Sequence, residues 1–209
     1  MPNFGLSHPW IAKLNTQTGQ YSDAFRCGKA VNTTVTPNYG QGSMYADDQQ
    51  TEEVTEFKNA GVDLGVDTLP IKAGEVMFGH TVSEDGEETS NVSDSGAYVG
   101  YGFTTTEMTN GIKKYRACLL KKVKFTEGAE SYTTKGDSIT FSNPTLSGTA
   151  MAIGVGEKPE VWRIKSPKFN TNKEADDWIQ KQLGASKSTS DASDTGGTSD
   201  TGDTSNTGV

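Results

Sequence analysis

A chain of 209 residues has room for one domain with appendages, and its net charge of −8 does not suit a protein that grips nucleic acid by neutralising phosphates. Cys27 and Cys118 are far apart and outside any CxxC spacing, which argues against a zinc site or a disulfide framework; each reads as a small buried thiol, with a disulfide between them open but not needed at this length. The first residues lack a charged segment followed by an apolar run, and no apolar stretch approaches transmembrane length. A soluble, cytoplasmically made protein with no membrane insertion is therefore expected.

From residue 8 to 153 the chain reads as strand-rich, with strands expected at 10–15, 25–36, 43–47 and 51–57. Residues 60–68 alternate cleanly, with Val62, Leu64 and Val66 on one face and Asp63, Gly65 and Asp67 on the other, which predicts a half-buried strand with an acidic wet face. A helix follows, capped by Thr68, containing Pro70, carrying Leu69, Ala73, Val76 and Met77 at helical spacing and closed by Gly79. Thr81 to Ser95 is acidic and Gly/Ser-rich (Glu84, Asp85, Glu87, Glu88, Asp94) and reads as a long exposed loop. Residues 97–103 place Val99, Tyr101 and Phe103 on one side and Tyr98, Gly100 and Gly102 on the other. Asn110-Gly111 is a hairpin turn signal before 112–125, where Tyr115, Ala117, Leu119, Val123 and Phe125 are expected inward and Lys114, Arg116, Lys122 and Lys124 outward. Gly136-Asp137 reads as a turn before strands at 139–142 and 145–152, split by Pro144.

Residues 154–170, punctuated by Gly156, Pro159 and Pro167, read as an extended arm with Val161, Trp162 and Ile164 as anchors. Thr171 and Glu174 have capping-box spacing for a helix over 172–183, with Ala175, Trp178, Ile179 and Leu183 as its apolar face and Gly184 to end it. Residues 186–209 are almost entirely Ser, Thr, Gly and Asp, a flexible tail with too little apolar surface to offset the entropy of ordering.

No catalytic residue, cofactor site or metal site is legible. His8 and His80 are the two histidines; His80 follows a helix end, where a structural role for its side chain at the terminal carbonyls is expected, and no nucleophile accompanies either. Asp47-Asp48 would point to opposite faces of a strand, which suits a turn or a salt bridge better than catalysis. The glycines do not form a phosphate loop. What remains is an asymmetry of charge, acidic between Asp23 and Asp94 and purely basic over 113–124. It reads either as a solvated strand face or as complementary surfaces on neighbouring copies.

Tyr45-Ala46-Asp47-Asp48, Asp67-Thr68-Leu69-Pro70 with Phe78-Gly79-His80, Tyr98-Val99-Gly100-Tyr101-Gly102-Phe103, Asn110-Gly111 with Tyr115-Arg116, and the segment Tyr132 to Thr149 occur in an order and spacing that resembles the phage major tail proteins. These are the tail tube subunits of long, non-contractile tails (siphoviruses). The resemblance spans roughly residues 5–150 and implies a mainly β subunit, an antiparallel β-sandwich or barrel with one short helix in the body and a C-terminal helix. On this reading residues 1–153 are the tube domain, 154–185 the arm and 186–209 the tail. It further implies hexameric rings of this chain stacked into a tube around a tape-measure protein, bounded by tail terminator and distal tail proteins. Genomic DNA would pass through non-specifically on ejection, and the protein would reside in the virion after assembly in the host cytoplasm. Asp63 and Asp67 are the candidate lumen face, where carboxylates would repel phosphate. Glu84, Asp85, Glu87, Glu88, Lys114, Arg116, Lys122, Lys124 and Trp162 are the candidate inter-subunit contacts. The competing class is a carbohydrate-binding β-sandwich module on a cell surface or virion, which would display exposed aromatics, and Trp10, Trp162 and Trp178 do not cluster in sequence.

Overall fold

A computed structural model describes residues 3–46, 49–109, 111–129, 143–154, 156 and 159–185. The expected turn at Gly136-Asp137, the strand 139–142, the Asp47-Asp48 pair, Asn110 and the tail 186–209 lie outside the described residues. The chain is mainly β: an eight-stranded antiparallel sheet with short helical segments on it. Its strands are β1 (Asn3–Leu14), β2 (Tyr21–Arg26), β3 (Ala30–Ala46), β4 (Gln49–Val66), β7 (Val99–Thr109), β8 (Ile112–Thr126), β9 (Thr145–Met151) and β10 (Arg163–Lys165). They are ordered β2-β1-β7-β8-β9-β4-β3, with β10 added against β8. A separate two-stranded piece, β5 (Thr81–Val82) and β6 (Glu88–Thr89), lies within the acidic loop.

The sheet curls. Tyr101 on β7 is fully buried, yet its hydroxyl donates to Thr33 Oγ1 on β3, four strands away along the sheet, at 3.0 Å. The concave face encloses Ile11, Val62, Leu64, Val66, Val99, Tyr101, Leu120, Val123, Phe125 and Leu146. The alternation of Val62, Leu64 and Val66 is thus read correctly, with Asp63 and Asp67 exposed on the opposite side. Burying each such aliphatic side chain is worth roughly 1.5–3 kcal/mol, which fixes register because a one-residue slip would turn the whole set to solvent.

The other face of the sheet is not wet where a wet face was the simple expectation. Helix α2 (Asn172–Gln182) lies across it, burying Ala175, Ile179 and Leu183 against Ala12, Ala117 and Leu119. Its capping box is formed as read: Thr171 Oγ1 accepts from Glu174 N, and the Glu174 carboxylate accepts from Thr171 N. Gly100 and Gly102 make this docking possible. A Cβ on Gly102 would stand 2.6 Å from Ile179 Cγ2, and one on Gly100 2.6 Å from the Tyr21 ring.

Several elements differ from expectation for local reasons. The strand expected over 25–36 is two strands, because Gly28 turns at φ +63°; a Cβ there would meet Thr68 O at 2.2 Å. The strands expected at 51–57 and 60–68 are one strand, β4, and it pairs with β3 from Ala30↔Val66 to Ala46↔Gln49. On β8, Tyr101 pairs with Leu120 while Val99 pairs with Val123, so three residues face two. That bulge splits the expected inward set: Tyr115, Ala117 and Leu119 face α2, whereas Val123 and Phe125 join the concave core with Cys118 and Leu120. Arg116, expected outward beside Lys122, accordingly shares the face of Cys118. In the body, the short helix is one α-turn, α1 (Ile71–Ala73), running into a π-helical turn over Gly74–Phe78. Its N-cap is Pro70 with no side-chain bond, so Thr68 does not cap it; Gly79 closes it in the left-handed region as read. The arm is not free-standing: β10 pairs with β8, Ile153 bridges Val161, and Phe169 bridges Tyr115.

Candidate functional site

The β3–β4 hairpin runs on beyond the strand that supports it. β9 supports β4 only across Ala60–Gly65, so the paired segments beyond Asn38↔Asn59 continue without a further strand beside them among the described residues. Those eight residue steps to Ala46 extend roughly 25 Å. The register shifts at Asn38/Tyr39, leaving Lys58 as an extra residue on β4. This bulge reverses the parity of the strand. Ala60, Val62 and Leu64 face the core at even positions, but beyond the bulge Phe57 faces the body. Phe57 stacks on Trp162 at 4.5 Å and 11°, and Tyr39 meets Phe57 edge-on at 6.0 Å. The opposite hairpin face therefore carries Glu52, Val54, Glu56 and Met44, with Met44 61% and Val54 55% exposed.

A second feature is a cleft of about 150 Å³ where the concave face runs out, between Val35 on β3, Phe103, Thr105 and Glu107 on β7, Arg116 on β8, and Arg163 and Lys165 on β10. The Glu107 carboxylate is buried and pairs with Lys168 Nζ at 2.8 Å and more distantly with Arg116 at 3.7 Å. The hydrogen bond from Lys168 holds its carboxyl below the ordinary value of 4.5 against the opposing effect of burial, with the Lys168, Arg116 and Lys165 charges adding to it. Arg116 also donates to Ser166 O at 3.0 Å. Arg163 lies 4.3 Å over the Trp162 ring. Neither Arg163 nor Lys165 is paired with a carboxylate among the described residues, so the cleft mouth is cationic.

The residues singled out from sequence are dispersed. Asp63 is exposed and accepts from Ser147 Oγ at 2.8 Å; Asp67 is exposed and accepts from Lys29 N at 2.6 Å, holding the turn at Gly28. Glu84, Asp85 and Glu87 are exposed on the loop. Glu88 instead turns onto His80, Oε1 to Nδ1 at 2.6 Å, while Glu127 Oε1 lies 3.1 Å and Ser90 Oγ 3.2 Å from Nε2. His80 is buried between these partners, so its side chain serves the loop and not the helix carbonyls; its backbone N–H is what reaches Gly74 O. Lys124 donates to Gly96 O at 2.6 Å, and both Lys122 and Lys124 lie over the Tyr98 ring. Lys114 donates to Asn170, Arg116 belongs to the cleft, and Trp162 is engaged within its own chain by Phe57 and Arg163. The structure thus sets Arg116 and Trp162 at different points along β8, Arg116 against Ser166 and Trp162 against Lys121, and leaves the acidic loop apart from the cleft.

Sequence reasoning missed the hairpin face, Glu107, Arg163 and Lys165, and a buried carboxylate on α2. Asp176 accepts from Trp10 Nε1 at 2.7 Å, Arg26 at 3.1 Å and Gln180 at 2.9 Å, with His8 Nδ1 at 3.4 Å. Cys27 and Cys118 are buried free thiols, as read; burial pushes Cys27 up to about 12 and Cys118 upward. Among the described residues no group of three or more His, Cys, Asp or Glu could hold a metal ion, and no helix is long and apolar enough to cross a membrane. No family model matches the chain, and no curated protein matches it.

Proposed function

We propose that this chain is a structural subunit that works by self-assembly, and that its assembled form is the tail tube of a phage with a long, non-contractile tail. The observation that carries the self-assembly is the β3–β4 hairpin. An isolated two-stranded ribbon is marginal in water, and unpaired strand edges are templates for pairing with another chain. Here a ribbon of this kind is held out from the body by Phe57 on Trp162, with Val54 and Met44 exposed on it. Such a design is consistent with an element that gains its remaining partners from a neighbouring copy. A contact between two different surfaces of identical subunits closes into a ring when the rotation permits, and the rings then stack.

The tube assignment rests on the sequence resemblance, with which the mainly β fold agrees. On this reading the subunit has no catalytic role. Hexameric rings enclose the tape-measure protein, terminator and distal tail proteins close the two ends, and DNA slides through after the tape measure leaves. Asp63, on the exposed side of β4, and Asp67, exposed just past its end, are the proposed lumen carboxylates. Replacing both with lysine should slow DNA ejection, and unchanged ejection kinetics would remove them from that role. Assembly itself is tested by shortening the hairpin, replacing residues 41–55 with a two-residue turn. Sedimentation velocity should then show a folded monomer where the full chain gives large species; equal assembly by both proteins would refute the reading.

A further inference from the structure

We infer that the cationic cleft at β7, β8 and β10 is a receptor for the acidic hairpin face of a second copy of this chain, with Arg163 and Lys165 receiving Glu52 and Glu56. The inference rests on the self-assembly reading and specifies the contact that drives it.

Three observations carry it. The first is charge. Between residues 47 and 57 the sequence holds five carboxylates and no cation, while the cleft mouth presents Arg163 and Lys165 without acidic partners among the described residues. Glu107 does not fill that need, because Lys168 and Arg116 already neutralise it.

The second is parity. The bulge at Lys58 turns Phe57 onto the body and so turns Glu52, Val54 and Glu56 to the far side of the ribbon. The hairpin of one chain leaves from beside its own Trp162 with Glu52 and Glu56 on the face turned away from the body, Glu53 sharing the face of Phe57. The chain's own Glu52 and Glu56 are therefore turned from its own cleft, and a second copy is the source of the acids that meets this geometry.

The third is size and character. At about 150 Å³ the cleft is below the ~300–1,000 Å³ of small-molecule sites but admits a side chain. Val35 and Phe103 give it apolar walls beside its cations. The hairpin face has the same mixed character: a strand places Glu52 and Glu56 about 13 Å apart with Val54 between them and Met44 alongside on β3, while Arg163 and Lys165 stand about 7 Å apart on β10 and their long side chains reach across the difference. Charge pairs of this kind set register and partner choice as well as affinity.

The test uses the full chain in three forms: wild type, R163E/K165E and E52K/E56K. Each charge-reversed protein alone should need at least about tenfold higher concentration than wild type for half-assembly in sedimentation velocity. An equimolar mixture of the two should assemble at wild-type concentrations through heterotypic contacts. K165E alone, at an exposed site, guards against loss of the Trp162 contact, and thermal melts should show every variant folded. Wild-type assembly with unchanged assembly of both variants would overturn the cleft assignment and leave the self-assembly reading standing. Impaired variants that the mixture does not rescue would also overturn it, since the cations and the hairpin would then serve different partners. Binding of DNA by wild type and not by R163E/K165E, with assembly unaffected, would assign the cleft to phosphate instead. A wild-type protein monomeric at every concentration would overturn both readings.

Discussion

Asp176 offers the sharpest local test of how the C-terminal segment is held. Its carboxylate sits at the meeting of β1, β2 and α2, with Trp10 Nε1 at 2.7 Å, Gln180 Nε2 at 2.9 Å, Arg26 at 3.1 Å and His8 Nδ1 at 3.4 Å. Replacing Asp176 with alanine removes the carboxylate that all of these nitrogens face. The Arg26 side chain is 45% exposed and rehydrates, so its share is at most about 1 kcal/mol. The indole N–H of Trp10 is half-buried under the helix and loses its partner, at a cost of about 1–3 kcal/mol, and the Gln180 bond adds roughly 0.5–1 kcal/mol. The sum is about 3 kcal/mol for Asp176→Ala. Asp176→Asn keeps one acceptor for Trp10 and should cost about half as much. With roughly 2–4 °C per kcal/mol in a domain of this size, alanine should lower Tm by about 6–12 °C. Calorimetry measures the total, and amide exchange locates it: α2 should lose protection before β7 and β8 do. An alanine variant within about 0.5 kcal/mol of wild type would refute the argument that this carboxylate anchors the helix.

Gly102→Ala pushes a Cβ to within 2.6 Å of Ile179 and should destabilise by about 1–3 kcal/mol; in a double-mutant cycle with Ile179→Ala, chemical denaturation should show a favourable coupling, because the smaller partner leaves room. Glu107→Gln tests the Lys168 pair by pH. The folded-state pKa is depressed, so the ionised Glu107 contributes stability above about pH 4.5 that is lost as pH falls through its lower folded value. Urea titrations should therefore find the wild type more stable at pH 7 and the difference closing below pH 4.5; a gap independent of pH would contradict the assignment. Trp162→Ala removes the stacked support of Phe57 and should speed amide exchange over 39–46 and 52–57 while leaving β7 protected.

The parts of this fold that were legible are those where the pleat runs undisturbed. Val62, Leu64 and Val66 declare their face because nothing interrupts the alternation, and α2 declares itself through Thr171, Glu174 and Gly184. Bulges erase such signals. Lys58 lies between Phe57 and Asn59, and nothing in composition reveals that parity reverses there and that Glu52 and Glu56 face outward. The three-against-two pairing of β8 with β7 likewise separates Leu119 from Val123 despite their even spacing. Gly100 and Gly102 read as a bare strand face because a glycine records the approach of a partner, here Ile179 and Leu183, only by lacking a side chain. Asp176 flanks the apolar stripe of α2, and two of its donors, Trp10 and Arg26, come from segments 166 and 150 residues away, a separation that no local pattern encodes. The cleft joins Glu107 to Lys165 and Lys168 across strand pairings that topology alone establishes.

Negative-stain electron microscopy of the purified full chain, imaged across a concentration series, decides whether the chain assembles with itself. Rings, or tubes of stacked rings, about ten nanometres across, a few domain diameters, are expected. Isolated small particles at every concentration would contradict it.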